Sequence, residues 1–197
     1  MIATREWVKD LMSKVLKKNN EEINETLIKI MEHIKYNPNS ISLIPIMTSN
    51  TSSNGIASTN CAYSSGYDNW PTTFNGEDYA YKVFDGKTND DGLTEYSDDN
   101  VEKYVQYDFT SNVIVNNIEV SYRTSTLNTN IYFDYYDIEN STWIEFFSKN
   151  VFSPSAIDVV SSSYEYIKTN KIRIRTGGGK SNTRLVICDI KVYGSYI

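Results

Sequence analysis

Asp85 follows an expected strand and precedes Gly86, opening a short turn that gathers oxygen donors, with Asn89, Asp90, Asp91 and Thr94 following closely. Several carboxylate and amide oxygens on a glycine-containing loop suit a hard cation such as Ca2+, which takes oxygen ligands only. The plain alternative is a solvated acidic turn in which Asp85 caps backbone amides. A second glycine-containing segment, Gly177-Gly-Gly-Lys-Ser-Asn-Thr-Arg184, has the wrong setting for a phosphate cradle, because no strand-to-helix junction carries it. It reads as a flexible basic loop. Trp70 precedes Pro71 in a loop of Asp, Asn, Thr and Gly, where its ring either faces a ligand or packs on the loop. Trp143 sits in an alternating strand pattern and reads as core.

Catalytic constellations are missing from the chain. The single histidine, His33, falls on a predicted helix, and neither a Gly-x-Ser-x-Gly elbow nor a His-Glu-x-x-His helix occurs. Glu77, Asp78, Asp98, Asp99 and Glu145 could in principle supply a glycosidase pair, but acids are common on a chain of net charge −6 and nothing singles out two. The expectation is therefore that the protein is not an enzyme. Cys61 and Cys188 are the only cysteines and have no metal-ligand spacing. They read as buried free thiols, a disulfide being the alternative if their strands meet. With no Lys/Arg run interleaved with aromatics, the negative charge would repel phosphate, so no nucleic-acid partner is expected. No apolar run approaches the roughly 20 residues that span a bilayer, so no membrane insertion is expected. Residues 1–18 lack the uninterrupted apolar core and cleavage site of a secretory signal. A chain made in the cytoplasm without a signal peptide, and acting extracellularly as part of a virion or tail-like particle, is the expected course.

Two regions with different periods must position these residues. Residues 4–35 read as helix, with Thr4 as cap and Glu6 in the first turn, where the helix dipole favours it. Apolar residues recur at Trp7, Val8, Leu11, Met12, Val15 and Leu16; after the polar interval Lys17-Lys18-Asn19-Asn20 come Ile23, Leu27, Ile30 and Ile34. Their 4-3-4 spacing is a coiled-coil seam. Asn20 could instead cap a second helix, with a bend there. Burying each large apolar side chain contributes roughly 1.5–3 kcal/mol, so the stripe must pack on its own sandwich or on copies of itself. A homotrimer is the expected assembly. Pro38 disfavours helix at Asn37 and ends the run. From Ile41 the pattern turns to short strands between polar turns, among them Tyr104-Val-Gln-Tyr-Asp-Phe109, Ile131-Tyr-Phe-Asp-Tyr-Tyr136 and Ile172-Arg-Ile-Arg175. Closely spaced strands with no helix between them mean an antiparallel sandwich or barrel. The predicted division is an N-terminal helix over 1–36, a linker over 37–42, and a β-sandwich over 43–197.

Three landmarks in the β-region stand in a recognisable order: the polar lead-in Met47-Thr-Ser-Asn-Thr-Ser-Ser-Asn-Gly-Ile-Ala-Ser58, the Tyr79-Ala-Tyr-Lys-Val-Phe-Asp-Gly86 run, and Cys188-Asp-Ile-Lys-Val-Tyr-Gly194 near the end. With the 104–109 strand, Trp143 and Lys171-Ile-Arg-Ile-Arg175, they resemble the discoidin-like domains of the galactose-binding-like superfamily, which includes the coagulation-factor C-type domains and many bacterial carbohydrate-binding modules. The similarity spans roughly residues 43–194. It implies an all-β antiparallel jelly-roll sandwich, here with an N-terminal α-helical stalk, with binding loops at one end and no catalysis of its own. Those loops would be 62–78, 123–130 and 176–184. Sugar recognition needs a flat apolar face and polar groups for ring hydroxyls. The implied candidates are Tyr63, Tyr67 and Trp70 in the first loop, Arg123 and Asn128 in the second, and Lys180 and Arg184 in the third. The resemblance also implies a structural Ca2+ held by Asp85, Asp91 and Thr94 and closed by Asp189 from the last strand. Asp189 stands where Glu is usual and Tyr96 where Trp is common, and the shorter carboxylate weakens the metal reading.

At the other end of the chain, Ala3-Thr-Arg-Glu-Trp-Val8 looks like the start of many phage tail-fibre and baseplate proteins. Taken together, these resemblances imply a module that recognises a cell-surface glycan, in a phage tail or adhesin receptor-binding protein. The alternatives are a structural baseplate or fibre connector that binds only protein, and a glycan-active enzyme.

Overall fold

A computed structural model describes residues 14, 17–20, 22–23, 42–65, 73–88, 91–94, 102–176 and 185–197. The chain divides into two compact units, Met1–Ser40 and Ile41–Ile197. In the first unit the described residues are helical, the polar interval 17–20 included, and Lys18 meets Glu22 one turn on at 3.8 Å. Leu27, Ile30 and Ile34 of the expected seam, and His33, lie outside the described residues.

The second unit is built from antiparallel strands: β1 (Thr51–Ser52), β2 (Gly55–Thr59), β3 (Ala62–Ser65), β4 (Thr73–Asn75), β5 (Asp91–Thr94), β6 (Lys103–Asp137), β7 (Thr142–Thr176) and β8 (Leu185–Tyr196). The alternation that predicted strands is also what buries them. Val105, Tyr107 and Phe109 are in the core, while Tyr104, Gln106 and Asp108 between them are only half-buried.

β6 and β7 are far longer than ordinary strands because each serves both layers. The start of β6 (Tyr104, Val105) and its last part (Tyr132, Phe133) pair with the same two residues of β7, Arg175 and Ile174. The chain therefore leaves the first layer after Asp108, crosses, and returns, with register shifts at the bends between Asp108 and Val113 and between Thr124 and Thr129. One layer holds β1, β2 and residues 103–108, 171–176, 131–137 and 142–150. The other holds 151–163, 113–124, β8, β5, β3 and β4. Between them lie Val105, Tyr107, Ile131, Phe133, Ile172 and Ile174 from the first layer, and Ile118, Val120, Leu93, Ile187 and Val192 from the second. The result is an antiparallel β-sandwich.

Two features differ from expectation. Residues 76–84 form a 3-10 helix, so Asp85 follows a helix and not a strand. The buried positions Gly76, Ala80, Val83 and Phe84 recur at helical spacing, and no period of two competes. Trp143 is half-buried and not core: Tyr136, its partner in register, meets it edge-on at 5.5 Å, and the Arg173 guanidinium lies 4.4 Å from its ring centre. Its strand is the outermost of the first layer, with a turn of only four residues to β6, so that ring stands on the outer face. The closing motif ends in Gly194 for a steric reason. A Cβ there would strike the carbonyl of Ile114 on the neighbouring strand. Both cysteines are buried free thiols.

Candidate functional site

Strand register fixes where the expected binding residues stand. Ala62 on β3, Thr94 on β5, Val186 on β8 and Arg123 on β6 form one row across the second layer. One residue further on, Thr124 pairs with Leu185, and the segments 125–128 and 177–184 leave from there. Arg123 is half-buried at this edge. Asn128 stands in the break of β6 register between Thr124 and Thr129. The second and third expected loops thus share one end of the sandwich. The first, expected over 62–78, is taken up by strands at Ala62–Ser65 and Thr73–Asn75, and its loop proper does not start there. It leaves β3 at Ser65, which pairs with Asp91, three residues or about 10 Å from the Arg123 row. Tyr67, Trp70, Lys180 and Arg184 lie outside the described residues.

Tyr63 departs from its expected role. It is 6% exposed, belongs to the core cluster, and stacks on Tyr79 with ring centres 4.5 Å apart. A ring covered in this way has no open face for a sugar, because its place directly opposite Leu93 turns it inward.

The acidic turn takes shape at the other side of that row. The 3-10 helix anchors Ala80, Val83 and Phe84 in the core and delivers Asp85 at its end, where the Phe84 carbonyl accepts from the Met47 amide at 2.9 Å. Asp85 Oδ1 accepts from the Lys87 amide at 3.0 Å, and Gly86 turns the chain with φ of +73°. Asp189 is 2% exposed, with Lys191 Nζ at 3.6 Å from Oδ2. Burial pushes its carboxyl above the usual range; Lys191 opposes this, and the charge of Asp85 adds to it. The two carboxylates therefore sense each other. Asp91 and Asp189 are each two residues beyond the Leu93–Ile187 pair in the same direction, which brings their backbones together. Thr94 pairs with Val186, three residues along β8 from Asp189 and about 10 Å away. Of the four expected calcium ligands, Asp85 and Asp189 are near enough to feel each other's charge and the Asp91 backbone lies beside that of Asp189, while Thr94 stands apart from them in register. Among the described residues no complete cluster of three metal-ligating side chains is assembled.

A constellation that the sequence reading left unassigned lies on the outer face of the first layer. Arg173 and Arg175 alternate with the core residues Ile172 and Ile174, so period two puts both guanidinium groups on that face. Asp134 pairs in register with Arg173 and is 1% exposed. Its Oδ2 accepts from Arg173 Nε at 3.0 Å, Arg173 Nη2 at 2.7 Å and Arg175 Nε at 2.6 Å. Arg175 also donates to Glu102 at 3.1 Å and to Glu145 at 2.6 Å, and lies 4.5 Å over the Tyr132 ring. Burial disfavours the charge on Arg175, but Asp134, Glu102 and Glu145 outweigh it and hold the group above its ordinary range. The alternation of Arg173 and Arg175 was the available signal; the acid that binds both came from a strand 39 residues earlier. With the ring faces of Trp143 and Tyr132 already covered by these arginines, the network ties strands together.

No protein-family model and no curated protein matches the chain. Solved structures do. The module CpGH89CBM32-6 from Clostridium perfringens superposes with a TM-score of 0.52 at 14% identity, covering 78% of this chain and 99% of its own. The family 32 carbohydrate-binding module of C. perfringens NanJ, in complex with galactose, gives 0.50 at 17% identity over 74% and 97%. A fucolectin from striped bass (Morone saxatilis) serum gives 0.52 at 15% identity over 73% and 47%. At such identities the likeness establishes the fold alone: the second unit is an antiparallel β-sandwich of the kind on which these carbohydrate-binding modules are built.

Proposed function

We propose that the protein is a non-catalytic module that binds a cell-surface glycan through the end of the sandwich bearing Arg123. The observation that carries this reading is the match of the β unit to almost the full length of solved carbohydrate-binding modules, one of them in complex with galactose. Arg123 and Asn128 edge that end, and Lys180 and Arg184 belong to the segment entering β8; Tyr67 and Trp70, outside the described residues, are the aromatic groups we assign to sugar stacking from the sequence alone. A single site should be weak, roughly 0.1–1 mM or about −4 to −5.5 kcal/mol, because sugar hydroxyls give up water for each protein contact. The context we propose is a receptor-binding protein of a phage tail or a similar adhesin, made in a cytoplasm and exposed outside the cell as part of a particle. The experiment is binding of the full chain to host cell-wall polysaccharide and to galactosides, with Arg123→Ala and Trp70→Ala alongside. Each substitution is expected to weaken binding severalfold or more. Binding untouched by both would move the site elsewhere; no glycan binding beside tight binding to a structural protein would replace this reading with the connector.

Ca2+ belongs to the same proposal as a structural ion, with Asp85, Asp91 and Asp189 as its ligands and Thr94 at the margin. When bound, it would screen two carboxylates that otherwise repel. A ligand that binds only the folded state raises stability by mass action. Chelation should therefore lower the melting temperature, and Asp85→Ala should abolish the difference. A melting curve that ignores both chelator and excess calcium would show the turn to be plain.

A further inference from the structure

The strand 131–137 runs from the Arg123 end, where Ile131 pairs with Thr176, to the opposite end of the sandwich, roughly 20 Å away. There a groove of about 480 Å3 opens between the turn after β6 and the bend of β7 at Tyr166. Its size falls in the range of small-ligand sites, roughly 300–1,000 Å3. The floor is apolar, made by Ile144, Phe146 and Tyr135, the last two rings lying 6.0 Å apart.

Two features set this groove apart from an ordinary surface dip. Tyr166 on its wall is 56% exposed and holds φ at +59°, a conformation that costs a bulky side chain about 1–3 kcal/mol. Among the described residues its ring packs on no other aromatic ring, so the strained backbone presents a bare face. Around it stand Asn112, Glu139 and Lys168, whose side chains have no hydrogen-bond or ion-pair partner among the described residues. Asp137 is different, since it is committed to its own turn. It accepts from the amides of Glu139 at 3.0 Å and Asn140 at 3.3 Å, and from Asn140 Nδ2 at 2.7 Å. The groove thus offers one flat aromatic face, an apolar floor, and an amide, a carboxylate and an ammonium unspent. A purely apolar ligand would waste the polar groups, and an anion would meet Glu139 and Asp137.

We propose that this groove is a second saccharide site, which takes one neutral pyranose with its C–H face on Tyr166 and its hydroxyls on Asn112, Glu139 and Lys168. It is independent of the Arg123 end and shares no residue with it. A glycan chain could then be held at two points on one sandwich.

The test is residue-resolved NMR of the full chain titrated with methyl β-galactopyranoside, methyl β-glucopyranoside and methyl α-mannopyranoside, each into the millimolar range. At least one glycoside is expected to give saturable shifts at the Ile144, Ile167 and Lys168 amides. Tyr166→Ala should weaken that response roughly tenfold, about 1.4 kcal/mol, while Tyr166→Phe, which keeps the ring face, should retain most of it. Tyr166→Gly accepts the positive φ without strain, so it keeps the fold and should lose the same shifts. Shifts at Arg123, Thr124 and Val186 report the other end separately. No saturable shift at the groove with any of the three glycosides, or shifts as strong in Tyr166→Ala as in the wild type, would overturn the second site and leave the Arg123 end to stand or fall on its own.

Discussion

Asp134 gathers three N–H donors from two arginines on its Oδ2. Its side chain is 1% exposed and those of Arg173 and Arg175 are 18% and 17%, so solvent screens the network little. A buried pair of this kind adds little net stability over an apolar substitute, because each ion gave up its hydration. Breaking it is another matter, since the partner left behind is a buried charge without a counter-ion. Asp134→Asn keeps the shape and removes the charge, leaving Arg175 to Glu102 and Glu145 and Arg173 to the Trp143 ring. The expected loss is roughly 3–5 kcal/mol, read as a lower denaturant midpoint. Glu102→Gln touches the exposed rim and should cost below about 1 kcal/mol. Equal effects from the two substitutions would show that the network is solvated and that Asp134 is not its centre.

Strands were legible wherever one face is buried and the other is not, because alternation of residue type is then forced. Tyr104 to Phe109 and Ile172 to Arg175 both follow this rule. The 3-10 helix at Gly76–Phe84 was misread because tyrosines at 79 and 81 mimic a strand's aromatic content, whereas the buried Ala80, Val83 and Phe84 mark a helical face. Trp143 was misread because a large ring in an alternating strand suggests core, and nothing local shows that its strand is an edge with its outer face held by Arg173. The row of Ala62, Thr94, Val186 and Arg123 depends on pairings between strands far apart in sequence, which no local pattern encodes; this is why the sequence grouped 62–78 with the other two loops, although the chain leaves β3 at Ser65, about 10 Å from that row. The closing motif was read as a strand with a glycine; the strand runs on past Gly194 to Tyr196, and the structure supplies the reason for the glycine. Gly194 lets β8 lie against the Ile114 carbonyl. Gly194→Ala must push β8 off that strand, at roughly 1–3 kcal/mol as for other overpacked sites, and should lower the melting temperature. Gly86→Ala serves as the contrast, because there the strain is in φ, and the nearest atoms are those of the exposed Ile46 side chain. A melting temperature unchanged by Gly194→Ala would mean that the strand end is loose.

At the scale of the whole molecule, the two units ask to be used together. A stripe of Ile23, Leu27, Ile30 and Ile34 has the spacing of a coiled-coil seam, and Ile23, its described member, is exposed. An apolar stripe left in water is unfavourable, so we propose that copies of the chain associate through it, as a trimer. The consequence for binding is arithmetic. A sandwich with a site in the range of roughly 0.1–1 mM holds a surface glycan only briefly. Linking several such sites makes each further contact intramolecular and raises avidity by on the order of 10²–10⁴ without any new contact. Light scattering on the full chain should show the oligomer, and removal of residues 1–38 should leave a folded monomer. On immobilised cell-wall polysaccharide the full chain should dissociate far more slowly than the truncated one. Soluble monovalent galactoside should bind both forms with the same affinity, because the individual site is untouched. Leu27→Asp with Ile30→Asp places charge on the seam and should reproduce the truncated behaviour in the intact chain. A full-length chain that is monomeric at tens of micromolar would end the trimer. Equal dissociation of intact and truncated protein from the polysaccharide would show that the helix serves attachment, with no part in avidity.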